Sequence, residues 1–251
     1  MLEAPRYFVE FAYNGAAYHG WQRQPHCITV QEVLEEGFCK ILRESIILVG
    51  AGRTDAGVHA RMMVAHFITD QSLDLEQTAY RINRWLPKDI AVYQILPVAP
   101  KAHARFHALS RSYEYHFHLR PDPFHNHTSY ILYREPNFEL MDKAAQLLLK
   151  HKDFQCFSRS NTDVKTYLCD ISEARFVLEG HHVVFHITAN RFLRNMVRAV
   201  VGTLLEIGYG KLDLADLERI IASKNRSEAG ASAPAQGLYL TQVEYPKDIY
   251  L

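Results

Sequence analysis

Apolar and polar positions in the first hundred residues switch between a spacing of two and a spacing of three to four. Residues 6–12 predict a strand, and the pattern Thr29-x-x-Glu32 is a capping box that predicts the start of a helix. A second helix carries apolar residues at helical spacing and ends before Pro87. Runs rich in β-forming residues predict three further strands, at 46–50, 62–69 and 90–98. The predicted order is β-α-β-β-α-β.

The same order recurs after residue 110, with one extra helix. Residues 112–119 alternate between apolar and polar side chains, so they predict a strand with Tyr113 and Tyr115 on its apolar face. A hairpin is predicted around the turn Glu179-Gly180. The remaining predicted elements are a helix at 139–150, hairpin strands at 171–178 and 183–189, helices at 191–208 and 214–222, and a strand at 238–245.

Two consecutive β-α-β-β-α-β units predict an α+β fold made of two ferredoxin-like halves, each a sheet with helices on one face. We expect an N-terminal half at 1–105 and a C-terminal half at 106–251, with no low-complexity linker between them. A cleft along their junction, lined by loops of both halves, is the expected place for chemistry.

Composition narrows the class of protein. The 251 residues are 48% hydrophobic and 22% charged, which is typical of a globular protein and excludes a disordered or fibrous one. No apolar run approaches the roughly 18–20 residues of a membrane span, and no leader pattern opens the chain, so we expect a cytoplasmic protein with no membrane partner. Because 28 basic residues balance 28 acidic ones, any binding to nucleic acid must depend on local clusters of positive charge.

Cysteines and histidines give no clear sign of a metal. The four cysteines are scattered without a C-x-x-C pair, which predicts neither a zinc site nor a disulfide framework. Six histidines without partner cysteines lie in one region, His103, His107, His116, His118, His125 and His127. We expect no metal there, and the chain has no glycine motif for a nucleotide cofactor, so no cofactor is expected either.

The most unusual segment is the loop 51–60, AGRTDAGVHA, between two predicted strands. Its glycines let the backbone approach a ligand closely, and Arg53 and Asp55 can point to the same side of an extended stretch. The alternative is a tight turn with a surface ion pair. Such pairs contribute only about 0–1 kcal/mol, so stability is a weak reason for this composition.

Basic and aromatic residues are interleaved over 103–120. Arg105, Arg111 and Arg120 stand beside aromatic residues, a combination that suits phosphate contacts and base stacking. Taken alone, Tyr113 is more simply explained as a core residue, because it falls on the apolar face of its strand.

A cationic stripe is predicted at the start of the helix 191–208. With Asn190 as N-cap, Arg191, Arg194 and Arg198 follow at spacings of three and four and share one helix face. That face can bind phosphates or a buried carboxylate, although a solvated basic face is the alternative. Positive charges in the first turn of a helix interact unfavourably with the helix dipole, so helix stability does not explain these arginines.

A loop of aromatics and amides, residues 13–24, precedes the first helix. Its Trp21 is either a stacking platform for a ligand or an anchor in the core, and both interpretations stay open.

Together these segments resemble the TruA family of tRNA pseudouridine synthases, over nearly the whole chain. Eight blocks occur in the family's order: YNG at 13–15 with GWQRQ at 20–24, GRTDAGVH at 52–59, Asn83 with LPKDI at 86–90, HARF at 103–106, RSYEY at 111–115, DF at 153–154, N-x-F at 190–192 with MVR at 196–198, and APA-x-GLYL at 233–240. The GRTDAGVH block is the most specific of them.

The resemblance implies roles for particular side chains. Asp55 corresponds to the essential catalytic aspartate, Tyr113 to the tyrosine that lies against the target uracil, and Arg198 to the basic residue that pairs with the aspartate. The resemblance also implies a role in displacing the target nucleotide for Arg53 and in lining the uracil pocket for Leu238 and Leu240. Independently of it, the local basic residues predict that Arg105 and Arg194 contact RNA.

The resemblance also implies a pseudouridine synthase fold with a central cleft, a homodimer, and activity without metal or organic cofactor. The implied substrate is tRNA, with uridine converted to pseudouridine at positions 38, 39 and 40 of the anticodon arm. The chain departs from the family at Asn14, where Asp is usual, and at Trp85, where Asn is frequent.

Three alternatives remain at this stage: a synthase acting on other RNA uridines, a non-catalytic RNA-binding module, and a metal-dependent hydrolase that uses the histidines. Asp55 argues against a simple RNA-binding module, because a carboxylate in an RNA-facing loop repels phosphates. A hydrolase of that kind would lose its activity with a chelator.

Overall fold

The computed structural model describes residues 4–159 and 165–251, and there the chain combines five α-helices with mostly antiparallel strands. The mixed α+β class predicted from the sequence is confirmed. Two compact units are present: one runs to Leu109 and includes Leu240–Leu251, and the other is Ser110–Tyr239. None of the described helices has both the length and the apolar character that crossing a bilayer requires.

In the first unit, β1 is the central strand of the sheet. The elements are β1 (Arg6–Tyr13), α1 (Val30–Leu42), β2 (Val49–Gly50), β3 (His59–Ile68), α2 (Leu75–Trp85) and β4 (Ile90–Val98). Strand β1 pairs antiparallel with β3 on one side and β4 on the other, while β2 pairs with β3. Phe38 of α1 meets the ring of Phe67 on β3 edge-on at 5.0 Å, and this aromatic contact packs the helix on the sheet.

In the second unit, β8 is the central strand. The elements are β5 (Ser110–His118), β6 (Tyr130–Ile131), α3 (Phe138–Leu148), β7 (Ile171–Glu179), β8 (His182–Ala189), α4 (Met196–Gly208) and α5 (Leu214–Ser223). Strands β5 and β7 flank β8 in antiparallel fashion, and the short β6 adds a parallel pair to β5. The last strand, β9 (Leu238–Glu244), begins at the end of this unit and continues into the first.

The strand predicted at 46–50 is wrong in extent, because only Val49–Gly50 pairs with β3. Side chains of α1 satisfy the backbone just before it: Glu35 accepts a hydrogen bond from the Leu48 amide at 3.0 Å, and Gln31 donates to the Leu48 carbonyl at 2.9 Å. Buried backbone groups need partners, and here helix side chains supply them in place of a neighbouring strand.

The helix predicted from Arg191 is also wrong at its start, since α4 begins at Met196. Its N-cap is Asn195 in the left-handed conformation, with φ of 65°. Asn190 instead receives a backbone hydrogen bond from the Asp170 amide on its side chain and donates its own amide to the Asp170 carbonyl. Because Arg191 and Arg194 lie before the helix, the three arginines do not form a stripe on one helix face.

Candidate active site

Asp55 lies in the connection between β2 and β3, at the first position of a tight turn. The Val58 amide donates to the Asp55 carbonyl at 3.1 Å, and Gly57 between them has φ of 77°. A turn with positive φ at its third position requires glycine or a similarly permissive residue there. Asp55 is half-buried and Arg53 is exposed. The tight turn is thus present, and it fixes the backbone position of Asp55.

The loop 13–24 supports this turn through its backbone. The Trp21 amide donates to the Thr54 carbonyl at 3.2 Å, and the Gly57 amide donates to the Tyr18 carbonyl at 3.3 Å. Gly20, with φ of 87°, lies so close to the Thr54 carbonyl oxygen that a Cβ atom there would overlap it. The two loops therefore pack backbone against backbone, and the absence of a side chain at position 20 permits it.

Hydrogen bonds that involve side chains also hold the loop 13–24 in place. Tyr13 and Thr54 share a buried hydrogen bond between their hydroxyl oxygens at 2.8 Å, and the Gly15 amide donates to His59 Nδ1 at 3.0 Å. Tyr18 donates its phenol to Asp89 Oδ1 at 2.7 Å. Burial and this hydrogen bond raise the pKa of Tyr18 far above its usual value, so the phenol stays a donor.

Trp21 is an anchor in the core rather than an exposed stacking platform. It is 3% exposed, and its ring lies 5.3 Å from that of Phe11 on β1. In the first unit, the loop 13–24, which carries the sequence blocks YNG and GWQRQ, therefore contacts both the Asp55 turn of GRTDAGVH and Asp89 of LPKDI. Their partnership was not predicted, because the pairs that join them are as many as 71 residues apart.

In the second unit, Tyr113 is half-buried on β5, and its ring meets that of Phe192 edge-on at 5.2 Å. Tyr115, two residues on, is wholly buried and donates its phenol to the Pro234 carbonyl at 2.7 Å. Burial raises the pKa of Tyr115 well above its usual value. The core role expected for strand tyrosines is therefore true of Tyr115, whereas Tyr113 keeps part of its surface accessible.

Arg198 lies in the first turn of α4 and is bound to the segment 230–234. Its Nε donates to the Ala233 carbonyl at 2.7 Å, and the Ala233 amide donates to the Arg198 carbonyl at 2.9 Å. Gly202, one turn further on, allows the segment to approach, because a Cβ atom there would overlap the Ala231 carbonyl oxygen. The guanidinium thus donates to the Ala233 carbonyl, while the Arg198 carbonyl accepts from the amide of the same residue.

Two leucines follow this segment in β9. Leu238 is 6% exposed in the second unit and Leu240 is 2% exposed in the first. Gly237, just before them, packs on the ring of Tyr115 closely enough that a Cβ atom would come within 2.7 Å of it. Within the second unit, Arg198 and Tyr115 therefore both contact the 233–237 segment that leads into Leu238, while Tyr113 contacts Phe192.

The remaining basic residues are spread over both units. Arg105 is exposed, with its guanidinium carbon 5.7 Å from the ring centre of Phe106. Arg111 donates to the Asn190 carbonyl at 2.9 Å. Arg194 is exposed in the extended stretch before α4, where its carbonyl accepts the Arg159 amide at 3.1 Å.

Comparison with known proteins decides the family. A family model described as tRNA pseudouridine synthase matches residues 11–107 and 144–246. The chain belongs to this family. The resemblance inferred from the sequence blocks is confirmed, and the matched stretches of the tRNA pseudouridine synthase family include Asp55, Arg198 and both leucines, while Tyr113 lies between them.

Individual relatives in the family match nearly end to end. A protein of Parabacteroides distasonis named tRNA pseudouridine synthase A is 48% identical over 246 residues, covering 98% of each chain. Proteins of the same name from Bacteroides fragilis and Porphyromonas gingivalis are 47% and 49% identical. They cover 99% and 98% of this chain and 100% and 99% of their own lengths.

Proposed function

We propose that this chain converts uridine to pseudouridine in tRNA, at positions 38, 39 and 40 of the anticodon arm. The observation that carries the proposal is the family match over most of the chain, which includes the braced turn that bears Asp55. Relatives that cover the whole chain at close to half identity are named for the same activity, which supports the substrate class.

The reaction is an isomerisation. The bond between uracil N1 and ribose C1′ breaks, a bond between uracil C5 and C1′ forms, and the proton of C5 leaves while N1 gains one. Atoms and electrons balance without a further reactant. The enzyme must therefore supply an ionised carboxylate at the reacting nucleotide, a pocket that retains the detached uracil, and a means of extracting the base from its stack.

We assign the carboxylate to Asp55. It acts either at ribose C1′ or C2′ or on uracil C6, and both routes fit a carboxylate held at a turn. As the resemblance implies, Arg198 is its proposed cation partner: a permanent guanidinium charge favours the ionised form of an aspartate and orients it. The backbone hydrogen bonds of Arg198 to Ala233 support a positioning role for this residue.

We assign the uracil pocket to Tyr113, Leu238 and Leu240. A half-buried ring braced by Phe192 suits stacking on a flipped base, and two buried leucines suit the exclusion of water. Arg53 is proposed to help displace the nucleotide, and Arg105 and Arg194 to contact phosphates; all three residues are exposed.

The finer architecture is part of the same proposal. We propose two ferredoxin-like halves at 1–105 and 106–251 around a central cleft, a homodimer as the working form, and the cytoplasm as its location. The β-α-β-β-α-β order of the elements up to β4 supports the first ferredoxin-like half.

The decisive experiment replaces Asp55. Asp55→Asn keeps the shape of the side chain and removes its charge, so release of tritium from tRNA labelled at uridine C5 should fall at least about a hundredfold. Asp70→Asn, at an exposed aspartate after β3, is the matched control and should release tritium at the wild-type rate.

Mapping of pseudouridine in the treated tRNA completes the test. Product at positions 38–40 is the expected result, and product only at other uridines would contradict the assigned sites. Undiminished release by folded Asp55→Asn would overturn the catalytic assignment, and binding of tRNA without any release by the wild type would make the chain an RNA-binding module.

A further inference from the structure

Four imidazole rings form a stacked row in the second unit. In order they are His125, His118, His182 and His116, with neighbouring ring centres 4.8, 4.8 and 5.0 Å apart and interplanar angles of 19°, 23° and 17°. At the inner end, His116 Nδ1 and His182 Nε2 share a hydrogen bond of 2.9 Å, and His116 Nε2 lies 3.0 Å from Glu114 Oε2. The inner rings therefore have polar partners on the sheet.

The outer end of the row has a different composition. Asp122 Oδ2 lies 2.8 Å from His125 Nδ1 and 3.9 Å from His118 Nδ1. One ligand atom from each of these three residues lies within 4.8 Å of the others. Against the expectation from the sequence that these histidines bind no metal, we propose that His118, Asp122 and His125 form a binding site for a divalent first-row transition-metal ion, of which Zn²⁺ is the representative.

The donor set suits such an ion. Two imidazoles and a carboxylate are ligands that Zn²⁺ and its neighbours accept, whereas Mg²⁺ and Ca²⁺ prefer oxygen donors alone. Ligand atoms about 2 Å from one tetrahedral ion lie roughly 3.4 Å apart, which is close to the separations of 2.8 and 3.9 Å from Asp122 Oδ2 to the two imidazoles. Because the rings of His118 and His125 are stacked at 19°, the more exposed ring of His125 must turn so that a nitrogen lone pair of each ring points at the ion. The metal bonds replace the hydrogen bond between His125 and Asp122, and any proton on the coordinating nitrogen leaves to solvent.

Two of the three ligands, His118 and Asp122, are held in place by neighbouring backbone groups. His118 ends β5, where it pairs with His182 of β8 and Ile131 of β6. Asp122 Oδ1 accepts the Phe124 amide at 2.9 Å, which leaves Oδ2 facing both imidazoles. Such support orients metal ligands and lowers the cost of assembling them.

The site also has an entrance. The side chain of His118 is 10% exposed, that of Asp122 26% and that of His125 52%, so exposure rises from the sheet to the surface. An ion can reach the trio from solvent without opening the core. Once bound, it would tie the connection between β5 and β6 to the end of β5, a structural role independent of the proposed isomerisation.

The test uses the untagged full-length protein, treated with EDTA and then freed of it. Titration with Zn²⁺ should show one ion per chain, and Mg²⁺ should not compete. Asp122→Asn and His125→Gln should each weaken Zn²⁺ binding more than about tenfold, since even the loss of outer-shell partners has such effects. His127→Gln is the matched control, because His127 is exposed in the same connection but is not one of the three ligands; it should bind as the wild type does.

A second measurement does not depend on the variants. The X-ray absorption spectrum of the Zn²⁺-loaded wild type should show scattering from two imidazoles and an oxygen ligand. Absence of Zn²⁺ binding by the wild type, a spectrum without imidazole scattering, or wild-type affinity for Zn²⁺ in Asp122→Asn and His125→Gln would each overturn the proposal.

Discussion

At the scale of single residues, the site depends on places where the backbone itself makes contact. Gly20 combines a positive φ with close approach to the Thr54 carbonyl, directly beside Asp55. Gly180 has a positive φ of 63° in the β7–β8 turn, but nothing lies within 4 Å of its missing Cβ. Substitutions at these two glycines therefore distinguish the free-energy cost of a positive φ from the cost of displacing neighbouring atoms.

We predict that Gly20→Ala lowers both stability and activity. Left-handed backbone costs an alanine about 1–2 kcal/mol, and the overlap with Thr54 adds to it, so the loss in free energy of unfolding should exceed about 2 kcal/mol. Gly180→Ala should lose only about 1–2 kcal/mol and keep its rate of tritium release. Urea unfolding with the C5 assay checks both, and equal losses in the two variants would contradict the backbone contact as the cause.

At the scale of elements, α4 shows how a helix can be shaped by an irregular segment, residues 230–234, that packs against it. Thr203 accepts the Gly230 amide on its hydroxyl at 2.9 Å, and Gly202 leaves room for the Ala231 carbonyl. An interior helical glycine is ordinarily destabilising relative to alanine, so its presence here reflects this close approach. The same approach places the Ala233 carbonyl at Arg198.

Substitution of Gly202 tests whether the close approach of the Ala231 carbonyl constrains α4. Gly202→Ala should destabilise the fold by about 1–3 kcal/mol despite the better helix propensity of alanine, because the added methyl displaces backbone. Gly37→Ala in α1 is the control, since its Cβ would meet two side chains and no backbone: Leu86 at 3.5 Å, an ordinary contact, and the exposed ring of Trp85 at 3.0 Å, which can shift. A stabilising Gly202→Ala, measured by thermal unfolding, would show that the contact does not constrain the helix.

The sequence predicted most helices and strands because their apolar periodicity is strong, as in α2, which ends before Pro87 as predicted. It failed at 191–195 because the pairing of Asn190 with Asp170, 20 residues away, overrides the local pattern. The Asp55 turn was predictable from its glycines. The hydrogen bonds of Tyr13 to Thr54 and of Tyr18 to Asp89 were not predictable, because they are contacts between residues far apart in the sequence.

At the scale of the whole molecule, the formal charge is zero, with 28 basic and 28 acidic residues. Many of these charges pair on the surface, as in Lys143 with Glu139 at 2.7 Å. A polyanion must therefore be bound by particular arginines rather than by an overall positive field.

We predict that affinity for tRNA falls linearly on a plot of log affinity against log salt. Arg105→Gln and Arg194→Gln should each reduce the slope by about 1, because one phosphate contact and its released counterion are lost. Lys143→Gln is the control: this lysine is paired on α3, and its loss should leave the slope unchanged. A flat plot for the wild type would contradict binding through phosphates.

The hydrogen bond from Tyr18 to Asp89 has a consequence for synthesis of the protein. Its two ends are 71 positions apart, and the backbone of Asn14 donates to the carbonyl of the same aspartate. While residue 89 is still untranslated, the nascent chain thus lacks one of the contacts that support the turn of Asp55, the proposed catalytic aspartate. We therefore expect the protein to become active only after β4 has been translated, even if β1 and α1 form earlier.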